Sequence, residues 1–361
     1  MRDVMNKKIK LLKEITDIYG ISGHEAKVRE FVKEKFLDSV GVNDLIYDGI
    51  GSIIAKKIGD EKGPKIAIAG HMDEVGMIVS KITDSGFVKF QTIGGWWSQV
   101  MLAQQVVIVS STGSEIRGVI GSIPPHILTK EQRDKVVKIE DMFIDIGASS
   151  KEEAEGWGIK IGDMIAPYSE FHVMKNEKML LAKAWDNRIG CAIVIDTLNE
   201  LKNIKHPNIV FGIATVQEEL GLRGGRTSAT LIKPDIVFAL DVGIAKDTPN
   251  VEEGSKLGNG VEVLVYENGM IGHVGLRKKV IEIADELKIP YQLDMLAGGS
   301  TDASSMHLAN SGAPGMSLCI PTRYIHSHSS IIHYDDYENT VKLIVEIIKR
   351  LDSKMLTEIL K

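Results

Sequence analysis

The chain has 361 residues, with 43 lysines and arginines against 49 aspartates and glutamates, for a formal net charge of −6. That length supports a large core and two domains. The lack of a basic excess argues against a nucleic-acid partner, and no apolar run nears the roughly 20 residues that would span a membrane.

Met5, Ile9, Leu12 and Tyr19 recur near helical spacing, so the lysine-rich start reads as an amphipathic helix rather than a signal peptide. Gly20 to Gly23 breaks the chain, and Ser22 is placed to cap a second helix through Val28, Phe31, Val32 and Phe36. Leu45–Tyr47 and Ser52–Ala55 read as paired strands, and Lys65–Gly70 as a buried strand ending on His71-Met72-Asp73-Glu74. From Val75 to Pro167 the texture changes to short strands and glycine-rich turns, the pattern of a small β unit. Its α/β flanks make it an inserted β-barrel-like domain (75–167) in a discontinuous one (1–74 and 168–361). A helix follows Asp186, and Asn208–Val216 reads as a buried strand running into Gln217-Glu218-Glu219. Further strands are expected at Asp235–Leu240, Val261–Tyr266 and Gly315–Ile320, with helices at His273–Leu287 and Tyr337–Leu351. The fold class is α/β: an α/β/α catalytic domain around a mostly parallel or mixed sheet, plus the inserted β unit. Cys191 and Cys319 lie in apolar runs and read as buried free thiols, which suits a reducing cytoplasm.

Ligands in open α/β sheets collect at the carboxyl ends of the strands. Three buried strands end on His71-x-Asp73, Glu218-Glu219 and Asp241, and Asp186 and the His326-Ser327-His328 segment follow nearby turns. Histidines with several carboxylates and no thiolate suit zinc, cobalt or manganese, and a pair of ions better than one. Two close cations need a carboxylate between them; Asp186 is the choice, because it can also cap its helix and be held by backbone N–H groups. Asp73, two residues from His71 on an extended segment, can accept the second ring N–H of that histidine. The same alternation separates Glu218 from Glu219, one for a metal and the other for a water or substrate. Asp241 is a plausible terminal ligand, and spacing leaves His326 and His328 both open as the second imidazole. The remaining histidines read as structural or surface residues.

In combination and order, His71-x-Asp73, Trp185-Asp186-Asn187-Arg188, Gln217-Glu218-Glu219-Leu220-Gly221, Leu240-Asp241, Gly298-Gly299-Ser300-Thr301-Asp302 and Arg323-Tyr324-Ile325-His326-Ser327 resemble the tetrahedral co-catalytic metallo-aminopeptidases, among them the glutamyl and deblocking aminopeptidases. The resemblance runs over essentially the whole chain. It implies hydrolysis of N-terminal residues from peptides with a free amine. It also implies two divalent ions per subunit, one on His71 and Asp241, the other on Glu219 and His326, with Asp186 bridging. Glu218 then matches the general base and Asp73 the acid that orients His71. The inserted domain would be the dimerisation unit of a homo-dodecamer built from dimers. A metal-independent glycoside hydrolase and an amino-acid deacylase stand as alternative readings, and both are separable by chelation and by substrates with blocked N-termini.

Overall fold

Alternation of side chains along four apolar strands builds the centre of the molecule. The computed structural model describes residues 2–41, 44–251 and 253–361, with side chains from Lys7 onward; the side chain of Met5 lies outside that set. The chain opens with helices α1 (Arg2–Asp17) and α2 (Ala26–Val40) and strands β1 (Leu45–Tyr47), β2 (Ile53–Ile58) and β3 (Lys65–His71). Strands β4 (Gly76–Ile82), β5 (Val88–Ile93), β6 (Gln105–Val109) and β7 (Glu115–Gly121) follow, then α3 (Lys130–Arg133), β8 (Phe143–Asp145), α4 (Lys151–Gly156) and β9 (Met164–Pro167). Beyond them come β10 (His172–Val173), β11 (Met179–Ala182), α5 (Trp185–Glu200), β12 (Ile209–Thr215), α6 (Arg223–Ile232) and β13 (Ile236–Ile244). The last stretch holds β14 (Val261–Glu267), β15 (Met270–Ile271), α7 (Val274–Leu287), β16 (Tyr291–Leu296) and α8 (Asp302–Met306). It ends with β17 (Gly315–Thr322), β18 (Ser330–His333), α9 (Tyr334–Arg350) and α10 (Ser353–Ile359).

The main sheet runs β1-β2-β12-β3-β13-β17-β14-β15, with β16 also paired to β14. Its four middle strands, β12, β3, β13 and β17, are mutually parallel, while β2 and β14 flank them antiparallel. Along β3, Ile66 and Ile68 face α1, α2, α5, α7 and α9, whereas Ala67 and Ala69 face α6 and α8. The result is the expected α/β/α sandwich. Burying each large aliphatic side chain stabilises it by about 1.5–3 kcal/mol, so the thicker helical layer dominates the packing energy.

Strands β4–β9 close into a barrel in the order β4-β5-β8-β7-β6-β9, around its own core of Met77, Val79, Val88, Val106, Ile108 and Ile144. It docks on the sandwich where Ile21 packs against Val107, Val109, Met164 and Ala166. A separate three-stranded sheet joins β10, β11 and β18. Strands β11, β16 and β18 are too short or too mixed in polarity to stand out in the sequence. Both cysteines are buried and free, with burial pushing the Cys191 thiol up to about 12 and Cys319 well above its usual range. Among the described residues no helix is long and apolar enough to cross a membrane.

Candidate metal centre

The parallel strands deliver their carboxyl ends to one edge, and the first group there is His71. Its Nδ1 donates to the backbone carbonyl of Asp73 at 2.9 Å, with the Asp73 carboxylate farther off at 3.4 Å. The carbonyl is the nearer acceptor of this proton, with the Asp73 carboxylate beside the same ring nitrogen. A carbonyl can only accept, so Nδ1 carries the hydrogen, and Nε2 points at Asp186 Oδ1, 3.1 Å away.

The buried Asp73 carboxylate does something else. It accepts the Ser22 hydroxyl at 2.6 Å, the Glu218 N–H at 3.0 Å and the Glu219 N–H at 3.1 Å. Burial opposes its charge, but His71, Ser22 and the Glu218 N–H hold the carboxyl below the usual range. Ser22 is consequently not a helix cap; α2 starts after Glu25 with no side-chain cap. The acid ties the start of the chain to the turn that bears the two glutamates.

That turn is not extended. β12 stops at Thr215, Gln217 adopts a left-handed φ of 55°, and the N–H groups of Gly221 and Leu222 fold back onto Glu218 O. Strand alternation therefore does not separate Glu218 from Glu219. A tight turn clipped to Asp73 does, and it sends both carboxylates into the same cleft. Leu222, Ala184, Tyr324 and His326 are also left-handed. For residues with a Cβ this conformation costs of order 1 kcal/mol each, and here it is concentrated in the segments beside the cluster.

Asp186 lies at the start of α5, but its backbone is not helical (φ −80°, ψ 105°), and it caps nothing. The cap is Asn187, whose Oδ1 accepts Gly190 N–H at 2.9 Å while its amide donates to Leu240 O at 2.9 Å. Asp186 is thereby left free to face the cluster. The helix sits this close because two residues lack side chains: a Cβ on Gly70 would lie 2.4 Å from the Gly190 carbonyl carbon, and one on Gly190 would lie 2.0 Å from Leu240 O.

Asp241 falls inside β13, which continues to Ile244 rather than ending at Leu240; its Oδ1 accepts the Val242 N–H at 2.8 Å and lies 3.9 Å from His71 Nε2. His326 comes from the loop after β17. Its Nδ1 donates to Gly95 O, on the barrel side, at 2.8 Å, and its Nε2 faces Asp186 Oδ2 at 3.3 Å and Glu219 Oε1 at 3.4 Å. His328 does not join them: it is buried against Trp96, ring centroids 5.3 Å apart, with neither ring nitrogen hydrogen-bonded. Gly95 is the contributor that sequence reasoning missed, and a carbonyl 231 residues away from its partner leaves no local signal. His71, Asp186, Glu218, Glu219, Asp241 and His326 all line one cleft of about 700 Å³, with Asp73 behind them.

The charges in this cleft do not balance by themselves. Burial, then the Asp241 and Glu219 charges, push Glu218 well above the usual carboxylate range. Burial and Asp186 push Glu219 up to about 8, and burial with Asp186 raises Asp241 strongly. Burial works against a proton on His71 and His326. Glu218, Asp186 and Asp73 nonetheless hold His71 well above its ordinary value, and Asp186 with Glu219 holds His326 at about 10. Among the described residues no lysine or arginine lines the cleft, so protons or cations must offset the acids. The donor set fits cations. The donor atoms of His71, Asp186 and Glu219, and those of His71, Glu218 and Asp241, fall within 4.8 Å of one another. Glu219 Oε1 is buried without a hydrogen-bond partner, and both imidazoles aim Nε2 inward while a carbonyl holds Nδ1, the arrangement that orients a metal-binding histidine.

Against known proteins, a family profile described as M42 glutamyl aminopeptidase matches residues 51–343. The chain belongs to this family. The glutamyl aminopeptidase of Lactococcus lactis is 35% identical over 350 residues, covering 96% of this chain and 98% of the relative. The crystal structure of a TET aminopeptidase from a Thaumarchaeota archaeon superposes with a TM-score of 0.95 at 42% identity, over 98% of this chain and 99% of that one. The TET1 peptidase of Pyrococcus horikoshii, which assembles into a tetrahedron or a large octahedral shell, matches with a TM-score of 0.85 at 33% identity, over 95% of this chain and 100% of that one. The M42 chain is thus a metallo-aminopeptidase by family.

Proposed function

We propose that this M42 chain is a co-catalytic dinuclear aminopeptidase. His71 and Asp241 would hold one divalent ion, Glu219 and His326 a second, with Asp186 shared, and zinc or cobalt suits the donors, with manganese also accommodated. The observation that carries this reading is the placement of Asp186, with Oδ1 3.1 Å from His71 Nε2 and Oδ2 3.3 Å from His326 Nε2. One carboxylate between two inward-facing imidazoles is the geometry a shared ligand needs. Bound there, the ions supply Lewis acidity toward a peptide carbonyl and a water.

The chain's own residues do the rest. Glu218, whose Oε2 lies 3.7 Å from His71 Nε2, takes the proton of the attacking water and returns it to the departing amine, which leaves poorly without one. Asp73 holds the Glu218 and Glu219 backbone at fixed distances, so neither arm drifts between the two proton transfers. The free α-amine of a peptide would bind one of the two ions these residues hold, which would make the enzyme an exopeptidase. Exposed Ile123, Ile127 and Val136 on the barrel support residues 75–167 as a dimerisation domain within a homo-dodecamer, with 1–74 and 168–361 as the catalytic domain. Buried unpaired cysteines support a cytoplasmic setting.

Glu218→Gln tests the assignment. It should keep the metal content of the wild type while kcat falls about 10²–10⁴-fold. Full activity in that variant, or peptide cleavage that withstands a chelator, would overturn the proposal.

A further inference from the structure

Beyond the cluster and the glycines the cleft wall is mostly apolar, with Trp97 as its aromatic member and Ser300 and Thr301 as its polar ones. Leu222 follows the glutamate turn, Val242 and Ile244 follow Asp241 along β13, Leu296 ends β16, and Ile325 precedes His326. Leu222, Val242, Ile244 and Ile325 each sit within three residues of a group in the cluster, and Leu296 lines the same cleft, so the side chain of a residue bound there has an apolar wall beside it. The cations nearest in the chain point elsewhere. Lys246 is paired to Asp294 at 2.5 Å, Arg323 grips Asp247 through two bonds of 2.7 Å, and Arg223 donates to Gln217 at 3.1 Å. None of the three lines the cleft.

We infer that this site, read as an aminopeptidase centre, selects peptides whose first residue is uncharged and apolar, of leucine or methionine size, and discriminates against an N-terminal glutamate. The inference rests on the proposed function and narrows it. A glutamate side chain would give up its hydration against Leu296, Ile244 and their neighbours with no cation to replace the water, and an unpaired charge on an apolar wall is strongly unfavourable. The acids of the cluster add nothing for it: their charge has the same sign as its own and repels it. A lysine side chain loses less, because its stem can lie along the aliphatic wall while the ammonium returns to solvent.

The test is a panel of aminoacyl p-nitroanilides (Leu, Met, Glu, Lys) on the full-length enzyme, stripped and reloaded separately with zinc, cobalt and manganese. Leucine and methionine should exceed glutamate in kcat/KM by about 100-fold or more and lysine by about tenfold. Glutamate or lysine equal to or better than leucine overturns the inference and leaves the aminopeptidase reading standing. Failure to cleave any of the four with any metal overturns both. A second arm uses Ile244→Lys, at a side chain already 42% exposed, where a lysine is accommodated without repacking. This variant should raise the glutamate-to-leucine ratio of kcat/KM at least tenfold, and an unchanged ratio shows that the β13 wall does not meet the first side chain.

Discussion

Replacing Asp73 with asparagine probes how the chain aims two adjacent glutamates at one cleft. The carboxylate receives Glu218 N–H on Oδ1 at 3.0 Å, and Glu219 N–H with the Ser22 hydroxyl on Oδ2 at 3.1 and 2.6 Å. An amide has one oxygen. Turned to keep Glu219 and Ser22, it sets its NH2 against Glu218 N–H, donor to donor; turned over, it keeps Glu218 and loses the other two. A buried N–H goes unpaired either way, and charged acceptors are the stronger ones, so about 2–4 kcal/mol of stability should be lost. For 361 residues that is a fall in Tm of roughly 3–5 °C. A carboxylate displaced by about 1 Å reduces kcat on the order of 10²-fold. The assay is turnover of a leucyl chromogenic amide by metal-reloaded protein, with metal content and thermal melting measured on the same samples. Ser22→Ala is the control: it removes one bond and leaves both N–H groups satisfied, so kcat should stay within about threefold. An Asp73→Asn enzyme with wild-type kcat and Tm, or a Ser22→Ala enzyme damaged as badly, refutes the reasoning.

Metal uptake should release protons, because His326, held at about 10, and Glu219, at about 8, carry protons at neutral pH in the metal-free protein and must lose them to bind an ion. The sign follows: apparent affinity rises with pH up to about 10, most steeply below about 8 where both groups hold protons, and calorimetry in buffers of different ionisation enthalpy should report proton release rather than uptake. Asn187→Ala removes both the cap of α5 and the tie to Leu240 O. It should lower stability by about 2 kcal/mol and metal affinity by roughly 10–100-fold, the latter read by chelator competition. Glu74→Gln leaves Lys183 and Arg188 buried without their counter-charge, 2.7 and 3.4 Å away in the wild type, and should be destabilising by about 3–5 kcal/mol in denaturant melts. Burial lowers Lys183 to about 8 against the pull of Glu74. Without Glu74 the folded variant gives up the Lys183 proton at a pH where the wild type still holds it, so the gap between variant and wild type should narrow as pH rises toward about 8 and stay level above it.

The framework was readable from the chain because the physics that buries a parallel strand leaves a plain mark. β3, β12, β13 and β17 are near-continuous apolar runs, as strands covered on both faces must be, and polar residues at or after such runs stand out. The turns that aim those residues leave no such mark. Gln217 takes a left-handed φ value that no residue preference suggests, so sequence favours an extended Glu218-Glu219 pair where the chain makes a turn. Ser22 and Asp186 are good helix caps by residue type, and both are diverted. A partner 51 residues away takes Ser22, and Asp186 is drawn between two histidines while the asparagine beside it does the capping.

The inserted barrel is not a detachable appendage of the candidate metal centre. His326 sits at 36% side-chain exposure, the most open member of the cluster, and its ring is fixed from outside by the Gly95 carbonyl at 2.8 Å. Gly94, next to it, has a φ of 78°, and a Cβ there would fall 2.9 Å from Glu219 Oε2. A side chain at position 94 would thus press on a carboxylate in the cluster, and a shift of the segment after β5 would release the imidazole opposite it. The segment's own position depends on the barrel closing, with β5 paired to β4 and β8. Any force that moves the barrel against the sandwich, contact with another subunit included, therefore reaches His326 and Glu219 before it reaches His71 and Asp241, which hang from the sheet, or Asp186 at the start of α5.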